Sequence, residues 1–264
     1  MLLKRIISAL ILIPLAVAVV LLGSWWFAGA ILIISAMMLY EWFGVTGAKA
    51  LWAATAALIA IWVAIAAHGS VALSIYLLIM GSIGSAFICL VRGGEEVAKW
   101  VAIGLAYISI PMVALIWLIE TPNGSWVVLW LLVVVWVTDI AAYTAGRLIG
   151  GPKLAPAISP GKTWAGALGG LIGAVVVAVF ATPYMLAMES TDAVLLAAAL
   201  SVVAQCGDLA ESWFKRRFDK KDSGTLIPGH GGVMDRVDGL VAAAPVLAIV
   251  IAFSPSLVAA AGAP

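Results

Sequence analysis

Charge is what this sequence has least of. Only 10% of its 264 residues are Asp, Glu, Lys or Arg, where a soluble domain carries roughly 25%. With 65% hydrophobic residues and a mean hydropathy of +1.18, a soluble globular fold is excluded. The net charge is +1, so no basic field points to a nucleic-acid partner. Cysteine is scarce too. Cys89 and Cys206 both lie in apolar runs and read as small core residues, because a disulfide framework or thiolate metal site needs more cysteines at closer spacing.

What the chain has instead is apolar runs long enough for a bilayer. They fall at roughly 6–22, 25–40, 51–67, 71–90, 99–119, 126–146, 164–185, 193–212 and 239–261. The first two cannot be one helix, since about 35 residues at 1.5 Å each overshoot a 30 Å hydrocarbon core. Lys4 and Arg5 before the first run resemble a signal-peptide start, but no A-x-A-like site follows, and a retained first span is expected. The fold class is therefore all-α: a polytopic integral membrane protein of about nine transmembrane helices. Residues 1–125 hold about five spans, and 126–264 hold the rest with two long inner loops, 147–163 and 213–238.

The positive-inside rule tests this count. Alternating through nine spans with Lys4 and Arg5 in the cytoplasm places all 14 Lys and Arg residues on that side. The short outer connections ("GS", "HGS", "ETPNGS", "AMEST") hold none. The expectation is a cytoplasmic N-terminus and an outer C-terminus. No extramembrane domain has room to fold, so chemistry is expected at the cytoplasmic membrane surface.

Ten of the 27 charged side chains crowd between Lys215 and Asp238. Within the helical runs, Asp139 and Asp208 are costly unless they face a polar cavity or a partner. Glu211 follows Asp208 at i+3 and shares its helix face, which suggests a cation site or proton relay. The stretch "ISPGKTWAG", 158–166, looks like the end of a P-loop. Pro156 stands where that motif needs glycine, and no strand is expected before it, so the P-loop reading fails. What survives is an anion site of Ser159, Lys162 and Thr163 at the start of a helix.

In "PGHGGVMDRVDG", glycines let the backbone approach a ligand around His230. Asp235 and Asp238 share a face if a helix begins there, and such oxygen ligands suit Mg2+ shared with phosphate oxygens. Lys215, Arg216, Arg217, Lys220 and Lys221 would meet phosphates or anionic headgroups. The run "DRVDG" opens like the motif of CDP-alcohol phosphatidyltransferases, but no further acid follows Asp238, and that family is rejected.

The run Ser212, Phe214, Lys215, Arg216, Lys221, Asp222, Gly224, Pro228, His230, Gly231, Gly232, Asp235, Arg236 and Asp238 resembles the signature of phosphatidate cytidylyltransferases. "SPGKTWAG", "GDLAES" and Asp139 with Tyr143 and Gly146 resemble segments of the same family. The resemblance covers about residues 130–245. It implies a nine-span inner-membrane homodimer that joins CTP and phosphatidate into CDP-diacylglycerol and pyrophosphate, with Mg2+ required. The family's paired-metal site falls on Asp208 and Asp235, with a second, monovalent cation such as K+. Lys215, Arg216 and Lys221 then neutralise the triphosphate or leaving pyrophosphate. The substrate-binding set is Asp139, Ser159, Lys162, Thr163, Glu211, Ser212, Asp222, His230, Gly231, Gly232, Arg236 and Asp238. A CTP-dependent polyprenol kinase and, from another class, a cation- or proton-coupled transporter are the alternatives.

Overall fold

The computed structural model describes residues 2–47, 80–81, 83–84, 90, 95–186, 188–226 and 231–258. The spans expected at 51–67 and 71–90, Cys89 and His230 lie outside the described residues or almost wholly so. Helices dominate: α1 Leu2–Leu22, α2 Ser24–Thr46, α3 Glu95–Ile119, α4 Gly124–Leu148, α5 Trp164–Phe180, the single turn α6 Thr182–Met185, α7 Ser190–Arg217 and α8 Met234–Phe253. Five of these are long and apolar enough to cross a membrane: α3, α4, α7, α8 and Trp25–Thr46 of α2. Large apolar side chains such as Ile140, Ile172, Phe180 and Phe253 stand exposed, as a lipid-facing surface requires.

The chain divides into two compact units. The first comprises Met1–Trp117 and Phe218–Val237, the second Leu118–Arg217 and Asp238–Pro264.

In the first unit, α1 packs on α2. Trp42 is the pivot of an aromatic cluster: it stacks on Tyr107 at 5.4 Å, and its Nε1 donates to the Trp100 carbonyl at 2.9 Å. A side chain at Gly104 would occupy the space of the Trp42 indole. Phe218 meets Trp100 edge-on at 4.9 Å, so the segment that follows α7 begins anchored to α3.

In the second unit, α4, α5 and α7 pack on one another along small residues. A Cβ at Gly173 would stand 2.8 Å from the Ala141 Cβ, so helix backbones approach closely, as is usual where no hydrophobic drive separates lipid from protein. Trp130, fully buried, donates to Thr182 Oγ1 at 2.7 Å and ties α4 to α6.

Two sequence expectations need correction. The loop 147–163 is not free of strand: β1 Lys153–Ala155 and β2 Ser159–Thr163 form an antiparallel hairpin with an irregular register. Strands of three and five residues are too short to leave a readable alternation. The rejection of the P-loop still holds on Pro156, and β1 pairs antiparallel. Cys206 is not a core residue either. It is free and exposed on α7, where a small apolar side chain suits a lipid-facing surface as well as a packed one.

Candidate active site

In the second unit the site grows from α7. Asp208 and Glu211, one helical turn apart, share a face. Gly207 lets α8 approach: a Cβ there would lie 2.7 Å from the Asp238 carbonyl oxygen. Asp238 is thereby laid within electrostatic reach of Asp208 and Glu211. Three acids this close need positive charge nearby, and two lysines supply it. Lys162 Nζ lies 2.6 Å from Asp208 Oδ2. Lys215 Nζ donates to Glu211 Oε2 at 3.2 Å, and both of these residues are buried.

The hairpin delivers Lys162. Arg216 Nε donates to the Ile158 carbonyl at 3.3 Å and fastens the hairpin to the C-terminal end of α7. Thr163 then starts α5 as its N-cap, its Oγ1 accepting from Gly166 N at 3.1 Å. Ser159 opens β2 half-buried. Ser212 Oγ reaches Asp208 Oδ1 across a long 3.5 Å. The sequence singled out Asp208, Glu211, Asp238, Lys162 and Lys215 in separate motifs, and in the second unit these five lie near one another. The polybasic run is not uniform: Lys215 turns inward, whereas Arg216, Arg217, Lys220 and Lys221 are exposed.

The first unit holds Asp235, in the first turn of α8. Its carboxylate accepts from Ser223 N at 3.1 Å, Ser223 Oγ at 3.0 Å and Gly232 N at 2.8 Å. The two glycines of "HGG" are explained by this approach. Gly231 has φ +85°, and a Cβ on it would stand 2.8 Å from Asp235 Oδ2. A Cβ on Gly232 would stand 2.6 Å from Glu41 Oε2 and collide with Ser223 Oγ. Asp222 and Arg236 are exposed beside this loop. Asp139 lies on an exposed face of α4, one turn before Tyr143, whose Oη accepts from Arg147 at 2.8 Å.

Glu41 and Ser223 are the residues the sequence reading passed over. Glu41, at the end of α2, is buried and accepts from Val233 N, Met234 N and Ser223 Oγ. One signal was present: Glu41 is the only acid in the first 94 residues, and a buried, isolated acid in a span is costly without partners.

The donors available for a metal are carboxylate oxygens. Among the described residues no three His, Cys, Asp or Glu side chains converge as a complete metal cage. A cation that takes one or two carboxylates and fills its shell with water and phosphate oxygens, as Mg2+ does, fits this donor set. A soft metal in an all-protein cage does not.

A family model described as the cytidylyltransferase family matches residues 3–254. A phosphatidate cytidylyltransferase of Pseudomonas aeruginosa PAO1 is 36% identical over 270 residues, covering 95% of this chain and 97% of the relative. One from Brucella suis biovar 1 is 50% identical over 161 residues, 61% of this chain and 60% of the relative. One from Haemophilus influenzae is 44% identical over 128 residues, 47% of this chain and 44% of the relative. The match thus spans about 60% of the length of the Brucella protein. The acid and lysine cluster sits in a chain that belongs to the cytidylyltransferase family.

Proposed function

We propose that this protein is a phosphatidate cytidylyltransferase. It transfers CMP from CTP to phosphatidate, giving CDP-diacylglycerol and pyrophosphate. The observation that carries this reading is the cluster of Asp208, Glu211 and Asp238 faced by Lys162 and Lys215, in a chain whose relatives bear that name.

A phosphate oxygen of phosphatidate attacks the α-phosphorus of CTP, a new P–O bond forms, and the bond to the β-phosphate oxygen breaks. Phosphatidate is already ionised, so no general base is required. Catalysis then rests on positioning and on neutralising phosphate charge. Asp208 and Asp235 would each offer a carboxylate to Mg2+, which would supply Lewis-acid neutralisation of phosphate oxygens, and a monovalent cation such as K+ belongs to the same proposal. Lys162 is held by the hairpin within reach of phosphate oxygens, and its ammonium exchanges Asp208 for a phosphate partner. Lys215 keeps Glu211 neutralised inside the helix pair. Arg216, Lys221 and Arg236 lie at the surface, where a triphosphate or leaving pyrophosphate meets them. His230 serves to bind or orient.

The remaining expectations belong to the same proposal: nine spans, a cytoplasmic active site in the inner membrane, and a homodimer. The acyl tails stay in the bilayer while the headgroup enters the polar loops, which accounts for a chain this apolar.

The test uses purified protein in mixed micelles with phosphatidate, Mg2+ and α-labelled CTP. Label entering lipid with an equal yield of pyrophosphate supports the proposal. Label from γ-labelled CTP on a polyprenol supports a kinase instead. Ion flux in proteoliposomes without nucleotide turnover supports a transporter.

A further inference from the structure

We infer that Glu41 is a positioning residue for Asp235, acting through Ser223 and the N-terminus of α8. The inference rests on the proposal that Asp235 holds the catalytic cation.

Glu41 comes from α2, nearly two hundred positions away in sequence. Its carboxylate performs the capping that α8 cannot provide for itself. Helix α8 begins at Met234, so the N–H groups of Val233 and Met234 have no intrahelical acceptor. Glu41 Oε1 accepts from Val233 N at 2.8 Å and Oε2 from Met234 N at 2.9 Å, with a negative charge at the positive end of the helix dipole.

The same Oε2 accepts from Ser223 Oγ at 3.1 Å, and Ser223 Oγ stands 3.0 Å from Asp235 Oδ2. One serine hydroxyl thus connects the two carboxylates. Having a single proton, it donates to one of them at a time. The same Asp235 Oδ2 also accepts from Ser223 N and Gly232 N. The loop on which it depends is packed around Glu41, because a Cβ on Gly224 would stand 2.9 Å from Glu41 Oε1 and one on Gly232 2.6 Å from Oε2. Glu41 is only 2% exposed, so it has no route to substrate and acts solely through these contacts.

Glutamine keeps the volume of Glu41 but presents an NH2 group to one of the two backbone N–H donors, setting donor against donor. Outer-shell partners of metal ligands typically affect metal affinity by about 10–100-fold. Glu41→Gln is therefore expected to raise the Mg2+ concentration for half-maximal turnover by about tenfold or more, with the KM for phosphatidate unchanged. Ser223→Ala, which keeps the bonds from Glu41 to the helix, is expected to raise it by a smaller factor. Mn2+ binding to the detergent-solubilised protein with CTP, read by electron paramagnetic resonance, is expected to weaken in the same order.

If Glu41 only supports the fold, Glu41→Gln lowers the melting temperature and the yield of active enzyme. The half-saturating Mg2+ and the Mn2+ affinity of the folded fraction then stay as they were, and the inference is overturned. Should Glu41→Gln fail to fold, Ser223→Ala decides: unchanged Mg2+ and Mn2+ dependence overturns the inference. Asp235→Asn separates the two levels. Normal turnover there removes Asp235 from the cation site, whereas a dead Asp235→Asn beside a normal Glu41→Gln sinks the positioning role alone.

Discussion

Lys162 Nζ lies 2.6 Å from Asp208 Oδ2, and a hairpin fastened by Arg216 brings the two together. The pair is partly open to solvent, with side-chain exposures of 25% and 35%. An exposed ion pair of this kind contributes on the order of 0–1 kcal/mol to stability. Its location in the loop makes more sense as chemistry than as a clamp.

Lys162→Met is therefore expected to leave the melting temperature within a few degrees and to lower turnover by about 10²–10³-fold, the usual effect of removing one charge-stabilising donor. Thermal unfolding in detergent and the labelled-CTP assay measure the two effects on the same preparation. A large drop in melting temperature with turnover retained would assign Lys162 to the fold.

Lys215 and Glu211 call for the opposite expectation. Their side chains are 11% and 0% exposed, so removing one partner strands a buried charge at a cost of about 3–5 kcal/mol. Lys215→Met and Glu211→Met should each destabilise the protein strongly. The double variant should regain much of the stability, since replacing a buried pair by apolar side chains is often neutral. Turnover should not return with it. A fully active double variant would show that the pair serves folding only.

The sequence carried much of this site in readable form, for physical reasons. Asp208 and Glu211 stand out because acids in an apolar run must be satisfied, and their i+3 spacing fixes a shared face. Lys162 and Thr163 were legible from helix-start chemistry, although the hairpin that aims Lys162 was too short to leave a pattern. Glu41 was missed because its partners are backbone N–H groups of a helix nearly two hundred positions later. Backbone donors leave no trace in side-chain spacing. The inward turn of Lys215 was hidden for a related reason: within "FKRR" every basic residue looks alike until the helix phase relative to Glu211 is known. Cys206 shows the limit of reading burial from composition in a membrane protein, since lipid-facing and core positions are equally apolar.

Gly232 offers a test of the Asp235 loop that changes no polar group. A Cβ there would meet Glu41 Oε2 at 2.6 Å and collide with Ser223 Oγ, so the loop must open to accept it. Gly232→Ala is expected to cost about 1–3 kcal/mol of stability from overpacking and to reduce turnover at least as severely as Ser223→Ala. Alanine at Gly161, where a Cβ meets nothing within 4 Å, should leave stability unchanged by comparison. Equal melting temperatures for the two alanine variants would contradict the packing described around Glu41.

Orientation in the membrane can be tested from the two ends of α4. The helix runs from Gly124 to Leu148, 25 residues, and at 1.5 Å per residue it is about 37 Å long, longer than a 30 Å hydrocarbon core. If α4 crosses, the turn closed by Gly124 N to the Thr121 carbonyl and the hairpin bearing Lys162 emerge on opposite faces. The hairpin end carries Arg147, Lys153 and Lys162, whereas the Glu120–Gly124 turn carries no Lys or Arg, so the positive-inside rule and the proposed cytoplasmic active site both require the hairpin on the cytoplasmic side. In a protein with Cys89 and Cys206 replaced by serine, a cysteine at Asn123 should react with an impermeant maleimide on intact cells. One at Lys153 should react only after permeabilisation. The reverse pattern would put the acid and lysine cluster on the side where no CTP is available, and the proposed reaction would fall with it.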